Sequence, residues 1–84
     1  MRYLLESPHT KEECLRELDE VLAEGQNVLN KFNWGCVAGE HAGYAIVEAD
    51  GESEVLNMVP SFLRKKARII KVEKFTPEQI RSFH

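Results

Sequence analysis

The sequence predicts one α+β domain spanning residues 1–84. Three observations carry that reading. Two apolar stripes at three- and four-residue steps, Cys14 to Phe32 and Val55 to Leu63, mark amphipathic helices. Between them, Phe32 to Asp50 alternates apolar and small residues around a glycine-bounded loop, Gly39 to Gly43, as a hairpin does. Two capping-box patterns, Thr10 to Glu13 and Thr76 to Gln79, place helix starts after the first and the last strand.

The elements follow in order. Arg2 to Glu6 is the first strand, with Tyr3, Leu4 and Leu5 consecutive and Pro8 ending the ladder because it has no N–H. Thr10 caps the first helix, Glu13 reaches back to its amide, and the acids of the first turn suit the helix dipole. Its stripe is Cys14, Leu15, Leu18, Val21, Leu22, Val28, Leu29 and Phe32. Gly25 interrupts it at a cost of about 1 kcal/mol relative to Ala, so a kink or break is expected there, with helix resuming to about Lys31. Trp34 to Ala38 is expected as the second strand and Gly43 to Ala49 as the third. In the third, Tyr44, Ile46 and Glu48 share one face, and Ala45, Val47 and Ala49 the other. Asp50 or Ser53 caps the next helix, which Pro60 kinks or divides. Ala67 to Lys74 is the fourth strand. Pro77 to about Phe83 is a short C-terminal helix, with Phe75 and Ile80 placed as a hydrophobic staple that would pack the tail.

Composition bounds the functional classes. A chain of 84 residues is near the lower limit for a core that stands alone, so a partner subunit or a metal often assists. Hydrophobic content of 43% and charged content of 30% are those of an ordinary globular domain. No apolar run approaches the roughly 20 residues of a membrane span, and the N-terminal segment has no secretory pattern. Two cysteines make no disulfide framework, so a reducing cytoplasm is expected. The formal net charge of −3 argues against a nucleic-acid partner. A basic run, Arg64, Lys65, Lys66, Arg68, Lys71 and Lys74, has no interleaved aromatics for base stacking and reads as a solvated rim. Gly35, Gly39 and Gly43 lack the context of a phosphate loop and read as bulge and turn positions.

The order strand, helix, strand, strand, helix, strand over Met1 to Phe75 resembles the ferredoxin-like arrangement. That resemblance implies a four-stranded antiparallel sheet ordered 4-1-3-2 with both helices on one face. The helix-free face would then carry several of Leu4, Tyr44, Ile46, Trp34 or Val37, and Ile69. An apolar patch of that kind favours face-to-face packing of two copies. The chain therefore resembles the dimeric α/β-barrel superfamily, which includes small monooxygenase-like and muconolactone isomerase-like proteins. Ligand sites in that group lie between sheet and helices or within the barrel. The group shares a shape and not a signature, so no residue role transfers by motif.

The same topology brings the end of strand 1, the start of helix 1 and the strand 2–3 loop to one edge. His9, Thr10, Cys14, Glu40 and His41 are expected to cluster there. Two imidazoles with a thiol make His9, His41 and Cys14 candidate ligands for Zn, Ni or Cu. His9 and His41 with Tyr44 and Glu48 are the candidate catalytic acid–base groups. Trp34, Tyr44, Glu40 and Glu6 are the candidate small-molecule contacts. Glu48, on a central strand, would need Lys71 or Arg68 as a partner if dimerisation buried it. The plainer alternative makes His9 a helix-entry residue, His41 an exposed loop tip, and Cys14 and Cys36 ordinary buried thiols. Three functional readings follow: a homodimeric protein binding a small molecule, a cofactor-free isomerase or monooxygenase-like enzyme, and a transition-metal-binding protein.

Overall fold

The computed structural model describes all residues, Met1 to His84. Its four strands are β1 (Arg2–Pro8), β2 (Asn33–Trp34), β3 (Ala42–Glu48) and β4 (Arg68–Lys71). Its helices are α1 (Cys14–Glu24), α2 (Gln26–Leu29), α3 (Glu52–Leu56) and α4 (Pro77–Ser82). The strands form one antiparallel sheet in the order β2-β3-β1-β4, or β4-β1-β3-β2 from the other edge. No helix is long and apolar enough to cross a membrane.

Alternation along β1 sets the two faces. Tyr3, Leu5 and Ser7 are buried, while Leu4 and Glu6 are only half-buried. Register carries the same parity across the sheet: Leu5 lies opposite Ala45 and Ile69, and Leu4 opposite Ile46 and Ile70. Tyr3, Leu5, Ala45 and Val47 meet Val21 of α1, Val55 of α3, and Val59 and Leu63 in one apolar cluster. Each fully buried Leu or Val contributes about 1.5–3 kcal/mol relative to exposure. Ile69 therefore belongs to the helix-covered face, against expectation, and its neighbour Ile70 stands on the open one. Trp34 is also on the covered side, since it lies opposite Gly43 and packs on the core.

Local chemistry explains the element ends. The Thr10 hydroxyl accepts from the Glu13 amide at 3.2 Å, and Glu13 Oε1 accepts from the Thr10 amide at 2.8 Å. The pair closes the turn Thr10 to Glu13, and α1 begins at the next residue, Cys14. The helical stripe is rotated from the expected one: Leu15 is 68% exposed and Leu22 53%, while Glu17 and Val21 are fully buried. Gly25, at φ +127°, divides α1 from α2. Pro60 separates α3 from a 3-10 turn at Ser61–Leu63.

Two expectations are corrected. The second strand stops at Trp34, because Cys36–Ala38 form a 3-10 turn. The C-terminal helix carries its full capping box, Thr76 with Gln79, yet every residue from Glu73 to His84 is exposed. Phe75 meets Phe83 edge to face at 5.5 Å between centroids, and Ile80 remains 47% exposed, so the tail is not packed on the core.

Candidate metal centre

The β1 alternation runs past the strand end. His9 continues the parity of Tyr3, Leu5 and Ser7 and is buried under α1. Its amide donates to the carbonyl of His41 at 3.0 Å, which extends the β1–β3 ladder by one pair beyond Pro8 and Ala42. The two imidazole centroids stand 5.8 Å apart, edge to face. The capped turn at Thr10 to Glu13 then starts α1 at Cys14, one residue past the box.

The fourth member comes from the turn after β2. The carbonyl of Gly35 accepts from the amides of Ala38 and Glu40, both at 3.0 Å, which closes a tight loop. A Cβ at Gly35 would lie 2.6 Å from the Glu40 carbonyl, so the loop closes only around glycine. Gly39 ends the turn at φ +90°, a left-handed conformation that glycine adopts without a Cβ penalty. This turn sends Cys36 back over His9 in place of along a strand.

The donor atoms of His9, Cys14, Cys36 and His41 all lie within 4.8 Å of one another. Cys14 Sγ is 3.3 Å from Cys36 Sγ, and His9 Nε2 is 3.2 Å from Cys36 Sγ. Ligand bond lengths of zinc imply donor separations of about 3.3–3.8 Å in a tetrahedron. The cluster reaches that geometry by changes of at most about 1.5 Å at any pair. His9 is buried, and Cys14, Cys36 and His41 are half-buried, so both cysteines lie at a partly exposed rim and not in the apolar core.

Behind the cluster lies a second layer. His9 Nδ1 contacts Glu17 Oε1 at 2.6 Å, with neither side chain exposed. The Ser7 hydroxyl donates to Glu17 Oε2, also at 2.6 Å. Burial pushes the Glu17 carboxyl up, while the Ser7 hydroxyl and the His9 imidazole hold it down. A carboxylate on Nδ1 leaves Nε2 as the lone-pair donor that a metal needs. Cys14 donates to Cys36 Sγ, and this hydrogen bond, with burial, pushes the Cys14 thiol up. The approach of His9 Nδ1 to Glu17 Oε1 is a close ion-pair contact and not an aligned hydrogen bond, and His41 Nδ1 is buried with no hydrogen-bond partner. A buried polar atom without a partner is costly, and a metal ion would satisfy it.

The other candidate residues lie elsewhere. Tyr44 and Glu6 face each other across β3 and β1 on the open side of the sheet, and Glu6 pairs with Arg68 at 3.5 Å. Glu48 is exposed and pairs with Arg2 and the N-terminal amine, at 3.3 and 3.4 Å, and not with Lys71 or Arg68. Glu40 is an exposed loop residue. Trp34 is adjacent to the centre, its ring 6.3 Å from that of His9, and it packs against Gly43 and stacks on Phe32 at 5.2 Å.

Sequence reasoning places His9, Cys14 and His41 at this rim and misses Cys36, Glu17 and Ser7. One sequence signal was available for Cys36. Four residues separate His9 from Cys14, and four separate Cys36 from His41, so the ligands form two mirrored pairs of short spacing. No family model, curated protein or solved structure matches this chain.

Proposed function

We propose that this chain is a transition-metal-binding protein whose His9, Cys14, Cys36 and His41 hold one zinc ion. The observation that carries the reading is the convergence of these four donors with Glu17 backing His9. Two thiolates and two imidazoles suit zinc, and four protein ligands leave no open position, as in structural sites. The ion ties together the end of β1, the start of α1 and the turn after β2, which few apolar contacts secure. In a domain of this size such a clamp supplies folding free energy that the core alone supplies sparingly. Calorimetric titration of the chelator-treated protein with Zn(II) tests this, with Co(II) as a spectroscopic probe. Uptake of about one equivalent, with Co(II) bands of tetrahedral thiolate coordination, is expected. No heat and no Co(II) bands at neutral pH would remove the reading.

The element and sheet order support a ferredoxin-like assignment, and the open sheet face supports a homodimer. Ile46 is 65% exposed and Ile70 43% on that face, beside the half-buried Leu4. A groove of about 480 Å³, lined by Arg2, Ile46, Glu48 and Val72 among others, runs along the same side. Tyr44, Glu6 and Glu48 lie on this face, so a small-molecule site built on them would be separate from the metal centre.

A further inference from the structure

We propose that Cys14 and Cys36 are a reversible dithiol–disulfide pair, oxidised by hydroperoxides, whose closure releases the metal from the site they share. The proposal rests on the metal reading for what is released, while the disulfide itself needs only the geometry. The two sulfurs are already 3.3 Å apart, against about 2.05 Å in a disulfide. Cys36 rides on a tight turn bounded by Gly35 and Gly39. Both cysteines are half-buried residues at the rim, within reach of a small oxidant.

The neighbours of Cys36 fit a nucleophile. His9 Nε2 is 3.2 Å from Cys36 Sγ, and Glu17 holds His9 Nδ1 at 2.6 Å from the other side. In the metal-free chain thiol, imidazole and carboxylate thus stand in line, the arrangement that activates a nucleophilic cysteine, and with zinc bound the ion itself holds Cys36 as a thiolate. Cys14 stands beside Cys36 as the resolving thiol. In the first step the Cys36 thiolate attacks the hydroxyl-bearing oxygen of the hydroperoxide. An S–O bond forms, the O–O bond breaks, and the alkoxide leaves and takes up a proton to become the alcohol. In the second step the Cys14 sulfur attacks the Cys36 sulfenic acid. The S–S bond forms, the S–O bond breaks, and hydroxide leaves with a proton as water. Two thiols and one hydroperoxide become one disulfide, one alcohol and one water. Two electrons pass from sulfur to oxygen, and the metal ion keeps its charge. Two of its four ligands are gone, and His9 with His41 hold it far more weakly.

The test uses the full chain loaded with zinc and treated with tert-butyl hydroperoxide. A chromogenic chelator reads released zinc, and peptide mass spectrometry without reductant reads the linkage. About one zinc released for each Cys14–Cys36 disulfide is expected, and dithiothreitol should restore both the thiols and zinc uptake. Zinc release with only sulfinic acids or intermolecular disulfides would overturn the proposal, as would a disulfide that leaves zinc bound. Cys14→Ser should stop at a Cys36 sulfenic acid captured by dimedone, and Cys36→Ser should give no capture at Cys14. Capture at Cys14 with none at Cys36 would overturn the assignment of the nucleophile. A chain that takes up no zinc yet still forms the disulfide would overturn the metal reading and support the dithiol pair.

Discussion

His9 Nδ1 lies 2.6 Å from Glu17 Oε1, and both side chains are closed off from solvent. A charged residue on the buried stripe of α1 is costly unless it is paired. Here the carboxyl has Ser7 on one oxygen and His9 on the other. The pair orients the ring so that Nε2 faces Cys36 Sγ, and a feature that would be a defect in a purely apolar core becomes the support of the four-donor cluster.

Replacing Glu17 therefore tests structure and function together. Glu17→Leu strands His9 Nδ1 and Ser7 Oγ, at about 1–3 kcal/mol for each buried group left unpaired. Glu17→Gln keeps an acceptor for His9 and should cost less. Zinc affinity, measured by competition with a chelator, should fall about 10–100-fold in the Leu variant. An affinity equal to wild type would show that Glu17 does not orient a ligand.

Metal removal gives the second prediction. Chelation should lower the thermal midpoint of wild type, because metal binding is coupled to folding. The same treatment should leave Cys36→Ala where it is, since three donors with one thiolate bind zinc poorly. Equal chelator effects on the two chains, read by circular dichroism melts, would place any bound metal elsewhere.

Gly43 supports the roof of the centre. A Cβ there would come within 2.7 Å of the Trp34 ring and 3.2 Å of Phe32. Both rings are rigid, so Gly43→Ala should push the indole off the sheet and destabilise by about 1–3 kcal/mol, as overpacking does. The tryptophan emission should shift to the red as the ring gains water. An unchanged spectrum and denaturation midpoint would mean that the two aromatics yield at no cost.

Particular residues show what was legible. Thr10 with Glu13 and Thr76 with Gln79 are contacts within one turn, and they form as their spacing demands. The parity of Tyr3, Leu5 and Ser7 is equally local and extends to His9. The break after Trp34 was not legible, because the alternation from Trp34 to Ala38 fits a strand as well as a turn. What decides it is the approach of Gly35 to the Glu40 carbonyl, a contact made by the closed loop alone. Glu17 was hidden for a related reason. Helical spacing allows its face or that of Leu15 and Leu22 to be buried, and only the polar ends of β1 select the former.

The turn before α1 predicts an acid response. Glu13 is held from an ordinary 4.5 down to about 2, chiefly by the Thr10 amide and then by Lys66 at 2.9 Å. A lowered folded pKa contributes stability that is full above the unfolded value and is lost as pH falls through the folded one. Its share should therefore fade from about 4.5 to about 2. Glu13→Gln should lower stability at neutral pH, converge on wild type near pH 2, and so flatten the acid limb in that window. An acid limb that superposes on wild type would show that solvent already screens the interaction.

The open face of the sheet bears the last prediction. Leu4, Ile46 and Ile70 are cross-strand neighbours on β1, β3 and β4, with no helix above them. Ile46 is 65% exposed at one end of this row, with Leu4 between it and Ile70. Such a row costs solubility in a monomer, and a two-fold mate that offers the same row buries both at once. The flanking charges are already paired within the chain, Arg2 with Glu48 and Arg68 with Glu6, so they frame the patch without opposing a second copy. Sedimentation at micromolar concentration should give a dimer for wild type and a monomer for Ile46→Lys. A lysine desolvated by the contact would have no partner. The substitution is on a solvent-facing position of the protomer, so its fold and zinc uptake should persist, which separates loss of dimer from loss of structure. A wild-type monomer, or a dimer indifferent to Ile46→Lys, would rule out assembly through this face.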